Sequence, residues 1–521
     1  MFLTLYHSVI QPFYPSILVS ISIFRKSRLH TIYNSKTNIF ANAENRGLRK
    51  RLARFYSLIN RKLGTQSRPA FLFDNLKNES IVQVMKFGGT SVGSPERIRE
   101  VARLIDDGKP KIVVLSAMSG TTNALVEIAN YLYKKNFDGA NEKISQLEQK
   151  YVGVVEELFT TQKYKDLGME LIRGHFSHIR SFARDMFTMF EEKEILAQGE
   201  LISTALMNYH LQETGRQSNL ISALNFMRID KSGEPDDYYI RENLQRELKQ
   251  CGDYYLIITQ GFICRNAMGN IDNLQRGGSD YSASIIGAAV NAEEIIIWTD
   301  IDGMHTNDPR VVEHTHAIPE LSFDEAAELA YFGAKILHPT CVMPAKLANI
   351  PVRIKNTMEP SAQGTIIKKD VPKVPIRAIA AKDGITAIKI KSDRMLMAHG
   401  FLRKVFEIFE TYETSIDMIT TSEVGVSVTI DNTKNLEPIV NELHKYGTVE
   451  AEGDYVIICV VGDLHSNSKG FGGTILSALN DIPIRMISYG GSNFNVSVLV
   501  KSEYKSQALN SLSHSIFTDE K

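Results

Sequence analysis

From Ile81 onward, apolar and polar positions alternate between short solid runs and longer periodic stretches. Four runs, at 82–87, 112–116, 255–259 and 295–299, are almost wholly apolar, as expected of strands covered on both faces of a parallel sheet. Between them lie stretches with 3.6-residue periodicity, among them 95–105, 123–134 and 322–330, which predict helices. The alternation predicts an α/β core interrupted by a mostly helical insertion at 141–190. Ligands of such sheets gather beyond the carboxyl ends of the strands. Three polar stretches follow strands at that end: Gly88-Gly89-Thr90-Ser91, Ser116-Ala117-Met118-Ser119-Gly120 and Thr299-Asp300-Ile301-Asp302-Gly303.

The pattern changes after Pro372 and Pro375, which bracket a linker. One unit follows with a strand at 387–390, a helix at 400–412 and strands at 415–420 and 424–430. A second has a strand at 456–461, a helix at 472–479 and strands at 484–488 and 493–500. Two βαββ units in tandem predict a duplicated ferredoxin-like module. Neither unit offers a nucleophile or base, so packing of a dimer and sensing of an effector are the roles open to them. The expected division is an extension at 1–80, a catalytic domain at 81–371 and modules at 380–450 and 451–521.

The net charge of −1 conceals two unlike parts. Residues 1–80 carry a balance of +10, and the remainder −11. An acidic catalytic part excludes a nucleic-acid footprint. The apolar stretch at 13–24 is too short to span a bilayer, so no membrane partner is expected. The extension reads as disordered or non-native sequence, with an organelle transit peptide as the alternative. Cys251, Cys264, Cys341 and Cys459 are dispersed, which argues against a zinc site or disulfide framework and suits a reducing, cytoplasmic compartment; a plastid or other organelle is the alternative.

Candidate chemistry concentrates in two glycine-rich turns. The first reads Val-Met-Lys-Phe-Gly-Gly-Thr-Ser-Val-Gly and places Lys86 at a strand end before Gly88 and Gly89. The second reads Gln-Arg-Gly-Gly-Ser-Asp-Tyr-Ser-Ala-Ser and runs from Gln275 into a small-residue helix. Adjacent glycines admit close backbone approach, and a helix start attracts anions. Arg276 offers a bidentate partner for a carboxylate or phosphate, and Asp280 can orient a cation. Two such turns plus a lysine point to phosphoryl transfer onto an anionic small molecule. No GxxxxGK[ST] loop occurs, so the phosphates are held another way.

These residues resemble the aspartate kinases of the amino acid kinase superfamily. The resemblance rests on Lys86-Phe87-Gly88-Gly89-Thr90-Ser91, Val113-Val114-Leu115-Ser116-Ala117, Gln198-Gly199-Glu200, Arg276-Gly277-Gly278-Ser279-Asp280, Thr299-Asp300, Thr306-Asn307-Asp308-Pro309-Arg310 and Phe332-Gly333-Ala334-Lys335-Ile336-Leu337-His338-Pro339. It implies an amino acid kinase-type α/β sandwich followed by two ferredoxin-like βαββαβ (ACT) modules. It further implies transfer of the γ-phosphoryl of ATP, with Mg²⁺, to the β-carboxylate of L-aspartate. No homoserine dehydrogenase segment follows the second module, so the resemblance is to monofunctional members.

By the same resemblance Lys86 neutralises phosphate charge and Asp280 holds it. Arg276 clamps the α-carboxylate of aspartate and Glu200 pairs with its ammonium, while Ser116, Thr122 and Ser279 border the substrate. Lys86, Gly88, Gly89, Thr299, Asp300, His305, Arg310 and Lys335 match the ATP site, His305 standing where the family often has tyrosine. Met395, Gly400, Phe401, Leu402, Ile416, Asp417, Ser422, Glu423 and Val424 resemble the lysine-binding signature of feedback-inhibited members, with Asp417 and Glu423 as acceptors for an ammonium. No protein-built metal cluster is expected, and a homodimer or higher assembly through the modules is. A kinase with another acceptor, or an inactive amino acid sensor, remains as an alternative.

Overall fold

The computed structural model describes residues 82–183, 186–252, 255–274, 277–333, 337–392, 399–464 and 470–517. The extension at 1–80 lies outside these residues, as do Arg276, Lys335 and Met395. Strand β1 (Gln83–Phe87) leads into helix α1 (Pro95–Leu104). That helix begins where Ser94 accepts a hydrogen bond from the Arg97 backbone N–H and Pro95 supplies a preset φ. Strand β2 (Lys111–Leu115) is followed by α2 (Thr121–Tyr133) and then by the insertion: α3 (Phe137–Leu158), α4 (Gln162–Ser181) and the long α5 (Met189–Glu213). A reciprocal capping box between Thr188 and Glu191 starts α5. The chain continues through β3 (Ser218–Leu220), α6 (Asp237–Cys251), β4 (Leu256–Gln260), an antiparallel pair β5 (Ile263–Arg265) and β6 (Ile271–Asn273), and α7 (Gly278–Val290). Then come β7 (Glu294–Thr299), β8 (Glu320–Ser322), α8 (Phe323–Tyr331), α9 (Met343–Ala348), β9 (Val352–Asn356) and β10 (Thr365–Lys368).

Eight of these strands form one sheet in the order β3-β4-β2-β1-β7-β9-β10-β8, parallel except between β9 and β10. Phe87 lies level with Leu115 and Trp298, and Leu115 with Gln260. The loops after β1, β2, β4 and β7 therefore leave from one rim, as the strand pattern predicts. Both faces are covered. Phe87, Leu115 and Trp298 pack on the insertion side, and Val84, Val114 and Ile297 pack on the side of α7 and α8. Helix α7 owes its small residues to a close approach: a Cβ added at Gly287 would stand 2.5 Å from Ile295 Cδ1 of β7.

The C-terminal part extends the expected strands and joins them. Strands expected at 387–390 and 456–461 are each half of a longer strand, β11 (Ala378–Lys391) and β14 (Thr448–Val461). Between them lie α10 (Phe401–Thr411), β12 (Ile419–Thr421), β13 (Gly425–Ile430) and α11 (Leu436–Leu443). After them come α12 (Phe471–Ala478), β15 (Ile484–Tyr489), β16 (Asn495–Lys501) and α13 (Lys505–Phe517). All six strands form one sheet, β12-β13-β11-β14-β16-β15. Ile388 and Ile390 of β11 join the core around α10 and α11, whereas Ile379 joins that of α12 and α13. The boundary expected at 450/451 thus falls inside β14, and the second module takes its last strand from the start of β11.

A chain ending after Glu450 would strip residues 378–382 of β11 of their partners at 457–461. Scanning calorimetry on it should show no cooperative transition for the first module. A separate, native-like transition would show that the two halves are independent.

Candidate active site

Lys86 is the fourth residue of β1, and its Nζ lies 2.6 Å from Asp280 Oδ1 in the first turn of α7. The two side chains are only 11% and 17% exposed, so each depends on the other to offset its lost hydration. Of the two glycines after the strand, contact requires only Gly89. A Cβ at Gly89 would come within 2.8 Å of the Ala117 carbonyl oxygen, and one at Gly88 would sit 3.5 Å from Lys86 Nζ. Gly277 and Gly278 have φ of +73° and +49°, where a side chain is strained. At Gly277 a Cβ would also strike Cys341 Sγ.

The two glycine-rich turns, far apart in sequence, meet through the loop after β2. Ser116 Oγ donates to Ser279 Oγ at 2.9 Å, while the Ser116 N–H bonds to the Phe87 carbonyl at 3.2 Å. Ser203 of α5 donates to the Ser116 carbonyl at 2.7 Å. One turn further N-terminal on that helix, Glu200 accepts from the Ala117 N–H at 3.1 Å through Oε1. Its Oε2 is buried without a hydrogen-bond partner among the described residues. Burial pushes the Glu200 carboxyl up to about 7, the Ala117 N–H only partly opposing this. A buried acid with one unmatched oxygen is suited to receive a cation. Thr122, expected beside the substrate, is exposed at the second position of α2; its neighbour Thr121 is the buried one, bonded to Tyr151.

The nucleotide-side residues are less tightly gathered. Thr299 Oγ1 donates to Asp300 Oδ1 at 3.1 Å at the end of β7. The His305 ring contacts Asp302 through Nε2 at 2.8 Å and Thr315 through Nδ1 at 3.1 Å. Arg310 is 85% exposed and forked onto Asp308, which holds the guanidinium pKa above its usual value. In the effector segment, Gly400 (φ +85°) precedes α10, Phe401 is buried and Leu402 exposed. Ile416 is half-buried, while Ser422, Glu423 and Val424 are exposed at the turn between β12 and β13. The side chain of Asp417, the other expected ammonium acceptor, is buried: it is 1% exposed and already bound by Lys382 at 2.6 Å and Tyr331 at 2.7 Å.

Sequence reasoning missed four contributors: Ser203, Gly261, Phe262 and Tyr331. Gly261 follows β4, and a Cβ there would stand 2.4 Å from Ser279 Cβ. Phe262 beside it takes a left-handed φ of +67°, uncommon for a bulky residue, and its N–H bonds to Ser282 Oγ at 2.8 Å. A glycine directly after an apolar strand was the available signal.

Residues 82–356 match the model of the amino acid kinase family, and residues 458–516 match an ACT domain. The chain is 34% identical to lysine-sensitive aspartokinase 3 of Escherichia coli over 84% of its own length and 100% of that protein's. It is 35% identical to the chloroplastic aspartokinase 3 of Arabidopsis thaliana, covering 85% of this chain and 83% of the relative. The chain belongs to the aspartokinase family. Its fold agrees with crystal structures of E. coli aspartokinase III, with a TM-score of 0.74 to a complex with aspartate and ADP and 0.72 to a complex with lysine and aspartate. Each comparison is at 33% identity and covers 84% of this chain and all of the other.

Two tests address this aspartokinase site. Gly261→Ala should displace Ser279 and lower kcat/KM for aspartate, with the variant still melting cooperatively; unchanged kinetics would show that the strand-end turn does not position Ser279. The raised Glu200 pKa makes the second test one of pH. Below about 7 the carboxyl is neutral and offers no charge to a substrate ammonium, so kcat/KM should climb to a plateau above about 7. Because the native form holds its proton more tightly than the unfolded one, this group weakens stability as pH rises from about 4.5 to about 7. Glu200→Gln should flatten the rise in kcat/KM and lessen the loss of stability over that window.

Proposed function

We propose that the chain is an aspartate kinase, transferring the γ-phosphoryl of ATP to the β-carboxylate of L-aspartate to form 4-phospho-L-aspartate. The observation that carries the reading is the Lys86–Asp280 pair standing between two glycine-rich turns that are themselves joined by Ser116 and Ser279. The E. coli relative crystallised with aspartate and ADP supports both substrates.

The acceptor is a carboxylate and needs no base, so catalysis reduces to placing the reactants and balancing charge. Lys86 offsets negative charge on the transferring phosphoryl group, and Asp280 keeps the ammonium aimed at it. Glu200 receives the substrate ammonium on its unmatched Oε2. Arg276 takes the α-carboxylate, and Ser116 and Ser279 bound the acceptor's side. Thr299 and Asp300 hold the nucleoside end.

Mg²⁺ would be carried mainly by the phosphate oxygens of the nucleotide. Asp280 and Asp300 are the carboxylates that would hold it, and the ion when bound would neutralise charge on the phosphates. The name of the lysine-sensitive E. coli relative and its lysine complex support feedback inhibition by lysine through the C-terminal modules. Those modules would join a homodimer or larger assembly. The four cysteines, all free and buried, suit a reducing compartment, for which the cytoplasm is the simplest choice.

The test is ADP release from ATP with aspartate, glutamate, carbamate or UMP as acceptor. Aspartate alone should support turnover. Lys86→Ala should cut kcat by roughly 10² to 10⁴, the range for losing one preorganised charge-stabilising group. Turnover with another acceptor, or near-normal turnover in the variant, would overturn the reading.

A further inference from the structure

Helix α8 is tied to the C-terminal modules along one face. Glu325, Glu328 and Tyr331 stand three residues apart and share a side of the helix. Glu325 pairs with Arg377, just before β11, at 3.3 Å, with side chains 3% and 11% exposed. Glu328 accepts a hydrogen bond from Asn495 Nδ2 of β16. Tyr331 donates to Asp417 Oδ1 at 2.7 Å. Two residues further on, a side chain at Gly333 would meet the Ala381 carbonyl of β11. The helix is thus held by segments of both modules.

The last tie differs from the other two. Asp417 Oδ1 also takes Lys382 Nζ at 2.6 Å, and the same Nζ lies 2.9 Å from Asp431 and 4.2 Å from the centre of the Tyr331 ring. Asp417 Oδ2 is buried with no hydrogen-bond partner among the described residues. An unmatched buried carboxylate oxygen is costly, and it is spare capacity for a donor. With the Asp417 side chain 1% exposed, no ammonium from solvent reaches it unless Lys382 or Tyr331 moves. Lys382 presents the same primary ammonium on a four-carbon stem that free lysine presents. Asp431 already stands beside Lys382, ready to keep it paired once it leaves Asp417.

We infer that Lys382 is an internal stand-in for the effector's amine, and that its displacement from Asp417 is the event that unfastens α8. The effector ammonium takes the Asp417 carboxylate, Lys382 passes to Asp431, and the Tyr331 hydroxyl loses its acceptor. The C-terminal end of α8 is then freed from the first module, while Glu325 and Glu328 stay attached. This rests on the aspartate kinase reading with lysine as effector, and adds that binding and inhibition are separate properties carried by different side chains.

The experiment titrates the full chain with L-lysine by calorimetry and follows ADP release from ATP and aspartate in parallel. The proteins are the wild type, Lys382→Gln, Lys382→Arg and Tyr331→Phe. Lys382→Gln should bind lysine about 5-fold or more tightly, the low end of ordinary coupling factors, because the internal competitor is gone. Lys382→Arg keeps the cation and should stay near wild type. Tyr331→Phe should bind lysine at least as tightly as wild type yet be inhibited only in part. Unchanged or weaker binding by a cooperatively melting Lys382→Gln overturns the inference, as does full inhibition of Tyr331→Phe. If Lys382→Gln does not melt cooperatively, Tyr331→Phe decides alone. Aspartate turnover with no lysine binding in any of these proteins overturns the inference and leaves the reaction standing. The expected binding pattern without aspartate turnover upholds it and overturns the reaction.

Discussion

The ion pair between Lys86 and Asp280 is the constraint around which the catalytic domain is arranged. Each group offsets the other's lost hydration, and each belongs to an element fixed by different forces. Lys86 is set by strand pairing on both sides, with β2 and with β7. Asp280 is set by a helix that begins only because two successive glycines accept left-handed backbone. The pair therefore fixes the distance between a strand end and a helix start. Both turns, Ser116 and Ser279 inherit that distance. Its near-burial also leaves little water between the pair and whatever anion enters beside it.

Glu200 shows the opposite arrangement. Among the described residues no cation pairs with it, and a single backbone N–H is its only hydrogen-bond partner. Holding an acid in that state costs stability, and the surrounding helix bears the cost through dense burial, from Ile195 to Leu211 along α5. A site that pairs one charge fully and leaves another unmatched discriminates by charge pattern: an acceptor with an ammonium at the right distance from its carboxylate completes the set.

Much of this was legible in the residues. The four apolar runs became β1, β2, β4 and β7 within one or two residues, because strands buried on both faces admit little else. Gly89, Gly277 and Gly278 were readable because only glycine suits the close approach of the first and the left-handed backbone of the other two. The shared strands of the modules were not legible: period-two patterning shows that a stretch is extended, but not that its two halves face different cores. The burial of the Asp417 side chain was not legible for a related reason. Its partners, Tyr331 and Lys382, lie 86 and 35 positions away in the chain. Long-range ion pairs leave no local trace in a sequence.

The strands shared by the two modules bear on how this chain can change over generations. A substitution in β11 or β14 is felt by two hydrophobic cores at once, since Ile379 serves one and Ile388 the other. Neither module can drift, be lost or be exchanged for a relative's without its twin following. What looks like a duplication of independent parts behaves as a single heritable unit, and variation that alters sensing must pass through the loops and helices hung on that common ribbon rather than through the ribbon itself.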